Sequence, residues 1–144
     1  MKVHVTQLQG ITFAARGGSQ HWVMMDGPKE FGGSEAGSRP MEMILYGFAG
    51  CAGSDIASIL KKMRAELTSF EIDIDAETAE EHPKVFTKIH LRFLVAGNNL
   101  KEKDLERAIE MTRTKYCPVW AMLKESVEIS YSYDIQQAEY QKGE

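Results

Sequence analysis

Residues 39–53 read Arg39-Pro40-Met41-Glu42-Met43-Ile44-Leu45-Tyr46-Gly47-Phe48-Ala49-Gly50-Cys51-Ala52-Gly53, and the fold turns on what this apolar run becomes. Pro40 suits the first turn of a helix, where its missing N–H costs nothing. Ile44, Phe48, Cys51, Ala52, Asp55, Ile56, Ile59 and Met63 then recur at three- and four-residue spacing. The pattern predicts one helix from about Met41 to Arg64, ending in a basic Lys61-Lys62-Met63-Arg64 that complements the C-terminal dipole. Gly47, Gly50 and Gly53 lie inside it, and each costs about 1 kcal/mol relative to alanine. Tertiary packing must therefore hold the helix. Stepping by three, the glycines leave a flattened stripe where another backbone can come close, which is consistent with helix-on-helix packing, including across a dimer.

Upstream, Val3 to Leu8, Ile11 to Ala15 and His21 to Met25 read as short strands separated by the turn chemistry of Gln9-Gly10 and Arg16-Gly17-Gly18-Ser19. Residues 26–38 read as an irregular, surface-exposed loop. Downstream the alternation is clean. Phe70, Ile72, Ile74 and Ala76 face one way and Glu71, Asp73, Asp75 and Glu77 the other, as in a half-buried strand. Ile89, Leu91, Phe93 and Val95 repeat the pattern, and Glu80-Glu81-His82-Pro83-Lys84 joins the two as a long antiparallel hairpin. Asn98-Asn99 is expected to cap a helix of about Lys101 to Thr114. Pro118 to Lys124 follows as a short helix, and Val127 to Ile135 as a last alternating strand. The order is strands, helix, strands, helix, strand, an α+β arrangement in a single domain, 1–144, with a polar tail from Gln136 (136–144) expected to fray.

The chain has 144 residues, 43% hydrophobic and 26% charged, with a formal net charge of -4. These are the proportions of an ordinary globular protein, and the acidic balance argues against non-specific nucleic-acid binding. Met1 to Thr6 alternates like a strand and no signal peptide is read there. The apolar run Met43 to Gly53 is followed by Ser54-Asp55 and is read as too short to span a bilayer. A cytoplasmic address follows, where a transient redox disulfide is a better expectation than a permanent one.

Two cysteines carry the candidate chemistry. Cys51 and Cys117 are 66 positions apart, too far for a local C-x-x-C motif and too few for a cysteine-ligated metal site. They are either two unrelated buried thiols or an attacking thiol and a resolving partner brought close by the fold. Cys51 by periodicity also fits a small buried hydrophobe. Cys117, directly before Pro118, takes an N-cap-like position where backbone N–H groups and the helix dipole stabilise a thiolate, with Arg113 and Lys115 adding in the same direction. His4, His21, His82 and His90 are scattered, so no metal is expected, and no P-loop, G-x-S-x-G or dinucleotide glycine fingerprint is present. Arg16, at a strand end before Gly17-Gly18, reads by itself as an exposed turn arginine.

The run Arg39 to Cys51 resembles the central-helix signature of the OsmC/Ohr family. In that family a proline opens a long buried helix, and an acidic-apolar stretch leads through small residues to the first cysteine. The likeness extends through Ile59 to Arg64, the hairpin segment Glu81-His82-Pro83 and the second cysteine segment Lys115-Tyr116-Cys117-Pro118-Val119, so it covers nearly the whole chain. It implies an OsmC-like fold with antiparallel sheets around a long central helix, assembled as an intertwined homodimer with active sites at the interface. It also implies a thiol peroxidase that reduces organic hydroperoxides with electrons from a dithiol donor and needs no cofactor.

Position by position, the resemblance makes Cys51 peroxidatic, Cys117 resolving and Arg16 the thiolate activator. In the peroxidase branches a glutamate directly follows the helix-opening proline. Here Met41 stands there, and the nearest carboxylate is Glu42, nine positions before Cys51 and roughly 180° round the helix from it. The chain thus looks like a less-studied branch, with Glu42 as the candidate partner of the arginine. Two other functions fit the same features: a non-catalytic dimer that binds a small apolar ligand at its interface, and a general thiol-disulfide oxidoreductase.

Overall fold

The computed structural model describes residues 1–137, grouped in two compact units, residues 1–46 and the chain from Gly47 onward. The expected frayed tail lies, past Gln137, outside the described residues.

In the first unit β1 (His4–Gln9), β2 (Thr12–Arg16) and β3 (Trp22–Met25) form an antiparallel sheet in the order β1-β2-β3. The first turn requires glycine: Gly10 has φ +50°, and a Cβ there would come 2.8 Å from the Gly32 carbonyl oxygen. The inner strand β2 buries Thr12, Ala14 and Ala15, whereas β1 is exposed along its whole length. The loop that follows is irregular, as its composition predicts, with one 3-10 turn at Lys29–Phe31. It is organised by Asp26, which is buried and accepts hydrogen bonds from the Thr12 hydroxyl and from the backbone N–H groups of Gly27, Ser34 and Ala36. Burial alone would raise the pKa of that carboxyl. The four donors outweigh it and hold the group below the ordinary value.

Helix α1 (Pro40–Lys62) starts in the first unit and runs into the second. Its opening is capped from within: the Arg39 N–H donates to Glu42 Oε2 at 2.9 Å, the reach-back half of a capping box. At 23 residues α1 is long and apolar enough to cross a membrane by length and composition, so the length of the 43–53 run is not a sufficient argument against one. Phe48, Ala52, Ile56, Ile59 and Leu60 of this helix are buried in the protein core.

The second unit carries β4 (Glu66–Thr78), β5 (Phe86–Asn98), α2 (Glu102–Met111), α3 (Pro118–Leu123) and β6 (Glu128–Gln137). Strands β4 and β5 are the long antiparallel hairpin that the alternation predicts, in register from Glu66↔Asn98 to Thr78↔Phe86. An irregularity between Leu67 and Ser69 shifts the phase of β4, so that Leu67 and Phe70 both turn inward. The sheet is mixed, because β6 pairs with β5 in parallel. The intervening helices supply the crossover that such a pairing needs. Ile89, Leu91, Phe93 and Val95 of β5 and Leu105, Ala108 and Ile109 of α2 complete the core.

One cap differs from expectation. Lys101, not Asn98 or Asn99, precedes α2, without a side-chain cap bond. Asn99 instead adopts φ +52° and donates its side-chain amide to the Arg64 carbonyl. Its tolerance of the left-handed region serves the turn after β5, not the helix start.

Candidate functional site

Pro118 shapes the site from the backbone up. A proline disfavours helical geometry in the residue before it, and Cys117 is accordingly extended at φ -77°, ψ 106°. Just upstream, α2 gives way to a π-helical turn, Thr112–Tyr116, closed by a hydrogen bond from the Cys117 N–H to the Thr112 carbonyl at 2.9 Å. Such turns often mark functional sites. This one ends α2 at Met111, three residues before the expected end, and delivers Cys117 as the N-cap of α3. Its Sγ accepts from the Trp120 N–H at 3.4 Å. Trp120 is itself fixed edge-on against Phe48 of α1, with ring centroids 5.3 Å apart.

The two cysteines meet. The Cys117 thiol donates to Cys51 Sγ across 3.2 Å; both are free, Cys51 half-buried and Cys117 buried. A disulfide bond is about 2.05 Å long, so a modest movement of either side chain would allow one. Burial pushes the Cys117 thiol up, to about 11, with the Cys51 contact adding and the Trp120 N–H opposing. The expectation of a stabilised Cys117 thiolate is thus overturned. The cap bond exists, but desolvation outweighs it, and the expected cations point elsewhere. Arg113 pairs with Glu110, and the Lys115 ammonium lies over the Tyr116 ring. At neutral pH Cys117 is a thiol, a proton donor aimed at the sulfur of Cys51.

Asp55 is the site residue that reading the motifs one by one misses. It lies four positions after Cys51, one turn along the same helix face. Its carboxylate and the two sulfurs all lie within 4.8 Å of one another. Cys51, Asp55 and Cys117 have the composition of a small cation site. Zinc–thiolate bonds of about 2.3 Å, however, would set two sulfurs of a tetrahedral site roughly 3.8 Å apart, and these are closer. The spacing suits sulfur–sulfur chemistry. Asp55 also lines a cleft of about 250 Å³ with Ile59, Lys62, Arg107, Met111 and Tyr116.

The other expected site residues, Arg16 and Glu42, lie in the first unit. Arg16 ends β2, with its guanidinium stacked over the Trp22 ring at 5.0 Å. Glu42 is occupied in capping α1. His90 is a solvent-side strand residue, as expected, and bonds Ser130 and Ser132 on β6.

The OsmC-like protein family matches this chain over residues 32–132. Protein YhfA of Escherichia coli K12 is 38% identical over 135 residues, covering 94% of this chain and 98% of YhfA. A crystal structure of a hypothetical protein from Aquifex aeolicus VF5 is similar, with a TM-score of 0.84 and 29% identity over 96% of this chain and 97% of that one. The organic hydroperoxide resistance protein OhrB of Bacillus subtilis shares the fold at a TM-score of 0.62. It is 16% identical, over 93% of this chain and 98% of that one.

Proposed function

This chain belongs to the OsmC family, and from that membership and the geometry of its thiol pair we propose that it is a cysteine-based peroxidase of organic hydroperoxides. The observation that carries the reading is the 3.2 Å separation of Cys51 and Cys117. The substrate class comes from the name of the fold neighbour OhrB. In the first step the Cys51 thiolate attacks one oxygen of the hydroperoxide. A sulfur–oxygen bond forms, the O–O bond breaks, and the alkoxide leaves and is protonated to the alcohol. Cys51 becomes a sulfenic acid. Cys117 sulfur then attacks Cys51 sulfur, the S–S bond forms, the S–O bond breaks, and hydroxide leaves as water with the proton that Cys117 gives up. An external dithiol returns both residues to thiols by exchange.

The assignment of roles follows exposure and protonation. Cys51 is the more accessible of the pair and accepts a hydrogen bond from Cys117. Cys117 is buried and protonated, suited to wait for the intermediate. The family role of thiolate activator would fall on Arg16. The protein is proposed to act as a homodimer in a reducing compartment such as the cytoplasm.

Intact-mass spectrometry after one equivalent of an organic hydroperoxide tests the roles. Cys117→Ser should gain one oxygen, and over-oxidise with excess peroxide, while Cys51→Ser should stay unchanged. Consumption of hydroperoxide by Cys51→Ser at the wild-type rate would reverse the assignment. A second reading, binding of a small apolar ligand without turnover, is favoured by the cleft of Ile59, Met63, Met111 and Tyr116 and would leave every variant reduced.

A further inference from the structure

One oxygen of Asp55, Oδ2, is buried and has no hydrogen-bond partner, although the carboxylate lies within 4.8 Å of both cysteine sulfurs. A buried acceptor without a donor costs stability, so an orphan beside a thiol pair calls for a role. In the reduced protein the Cys117 thiol donates to Cys51 and not to Asp55. A sulfenic acid on Cys51 would add a hydroxyl to a sulfur that lies within 4.8 Å of that carboxylate.

We propose that Asp55 is the proton-transfer residue of disulfide formation, taking the proton from the Cys117 thiol as that sulfur attacks and passing it to the hydroxide that leaves Cys51. This inference rests on the peroxidase reading above and names the group that completes its second step. The balance closes: Cys51–SOH and Cys117–SH become one disulfide and one water, and Asp55 ends as it began. Need for such a group follows from burial of Cys117, whose thiol, pushed up to about 11, is almost wholly protonated near neutrality and a poor nucleophile until it loses the proton. The residues that line the cleft with Asp55 include no other carboxylate and no histidine. Lys62 of α1 and Arg107 of α2 line the same cleft and are donors without acceptor capacity. Tyr116 lines it from the π-helical turn, and Asp55 is the one carboxylate among the residues lining that cleft. The cleft also gives the carboxylate a route to exchange protons with solvent.

Rapid-mix trapping of the full-length protein with cumene hydroperoxide, followed by intact mass, reads both steps separately. In Asp55→Asn the sulfenic acid on Cys51 should accumulate even though Cys117 is present, with disulfide formation slowed by about 10²-fold, the usual worth of a positioned acid–base group. The residual rate should rise about tenfold per pH unit between pH 6 and 9, because hydroxide must then deprotonate Cys117. The wild-type rate should be much flatter. Asp55→Glu, which keeps the carboxylate, should recover part of the rate. A merely structural role would slow both steps alike and leave the pH dependence unchanged. Disulfide formation in Asp55→Asn at the wild-type rate, or with an unaltered pH profile, would overturn the assignment while leaving the peroxidase reading standing. A wild type that forms neither sulfenic acid nor disulfide would overturn the peroxidase reading, and the role of Asp55 with it.

Discussion

Cys117 is only 3% exposed, and at the scale of single residues its burial governs more of the chemistry than any charge nearby. A thiol held neutral by the fold contributes stability that is fully present below the ordinary cysteine value and is lost as pH rises through about 11. The wild type should therefore lose stability between about pH 9 and 11, and Cys117→Ala should lose less of its own over that window in paired denaturant titrations. Tyr133, whose hydroxyl donates to Glu102 and Glu106 and is raised by those bonds, declines in the same direction. The difference between the two proteins isolates the thiol. Equal alkaline losses would mean that Cys117 ionises freely in the folded state. Arg16 is tested by reactivity. Arg16→Ala should slow alkylation of Cys51 by iodoacetamide at neutral pH, with only partial recovery in Arg16→Lys, because an ammonium lacks the planar fork. An unchanged rate would return Arg16 to a turn residue stacked on Trp22. Both cysteines were visible in the sequence by residue type, but the protonation of Cys117 was not. The Cys-Pro dipeptide announces a cap, whereas the burial that outweighs the cap arises from tertiary packing, which brings Cys51 from 66 positions away.

At the scale of elements, α1 was the most legible part, because Pro40 and the three-to-four-residue spacing both act locally. The structure begins it at Pro40 and ends it at Lys62, within two residues of expectation at each end. The glycines inside it behave differently from one another. A Cβ on Gly53 would come 2.7 Å from Ile72 Cδ1 of β4, so that glycine serves contact within the chain. Gly47 and Gly50 face nothing within 4 Å. In an isolated chain Gly50→Ala would stabilise the helix by about 1 kcal/mol. If a second copy covers that stripe, the added methyl should instead weaken the dimer. We expect the second result, read as a higher dimer dissociation constant by sedimentation; a stabilised protein with unchanged association would mean that the stripe is open. The start of α2 was less legible, since Asn99 is a good cap in isolation but is claimed by its bond to Arg64. The π-helical turn Thr112–Tyr116 had no signal in composition.

At the scale of the whole molecule, the mixed strand and helix order gave the α+β class, and the OsmC-like fold follows from family membership. Pairing of β6 parallel to β5 was not legible, because alternation sets which face a strand buries but not which way it runs. Asp55 was hidden for a similar reason: four residues after Cys51 it continues the helical stripe, and its chemistry emerges only when Cys117 arrives from 66 positions away. Large apolar side chains remain exposed in the first unit, among them Leu8, Trp22, Phe31, Ile44 and Tyr46. A set of that size marks an interaction surface more often than free solvent surface. Light scattering at micromolar concentration should accordingly return twice the chain mass of 16.2 kDa, and a monomer would remove the support for a shared interface.

The central claim is that Cys51 and Cys117 form one redox couple, and the measurement that tests it most directly is intact mass of the wild-type protein. The reduced protein is exposed to a single equivalent of cumene hydroperoxide and quenched under acid. The account predicts loss of two hydrogens in nearly every chain within the mixing time, reversed by a dithiol. A mass that stays at the reduced value would contradict it, as would a gain of one oxygen that never resolves to the disulfide.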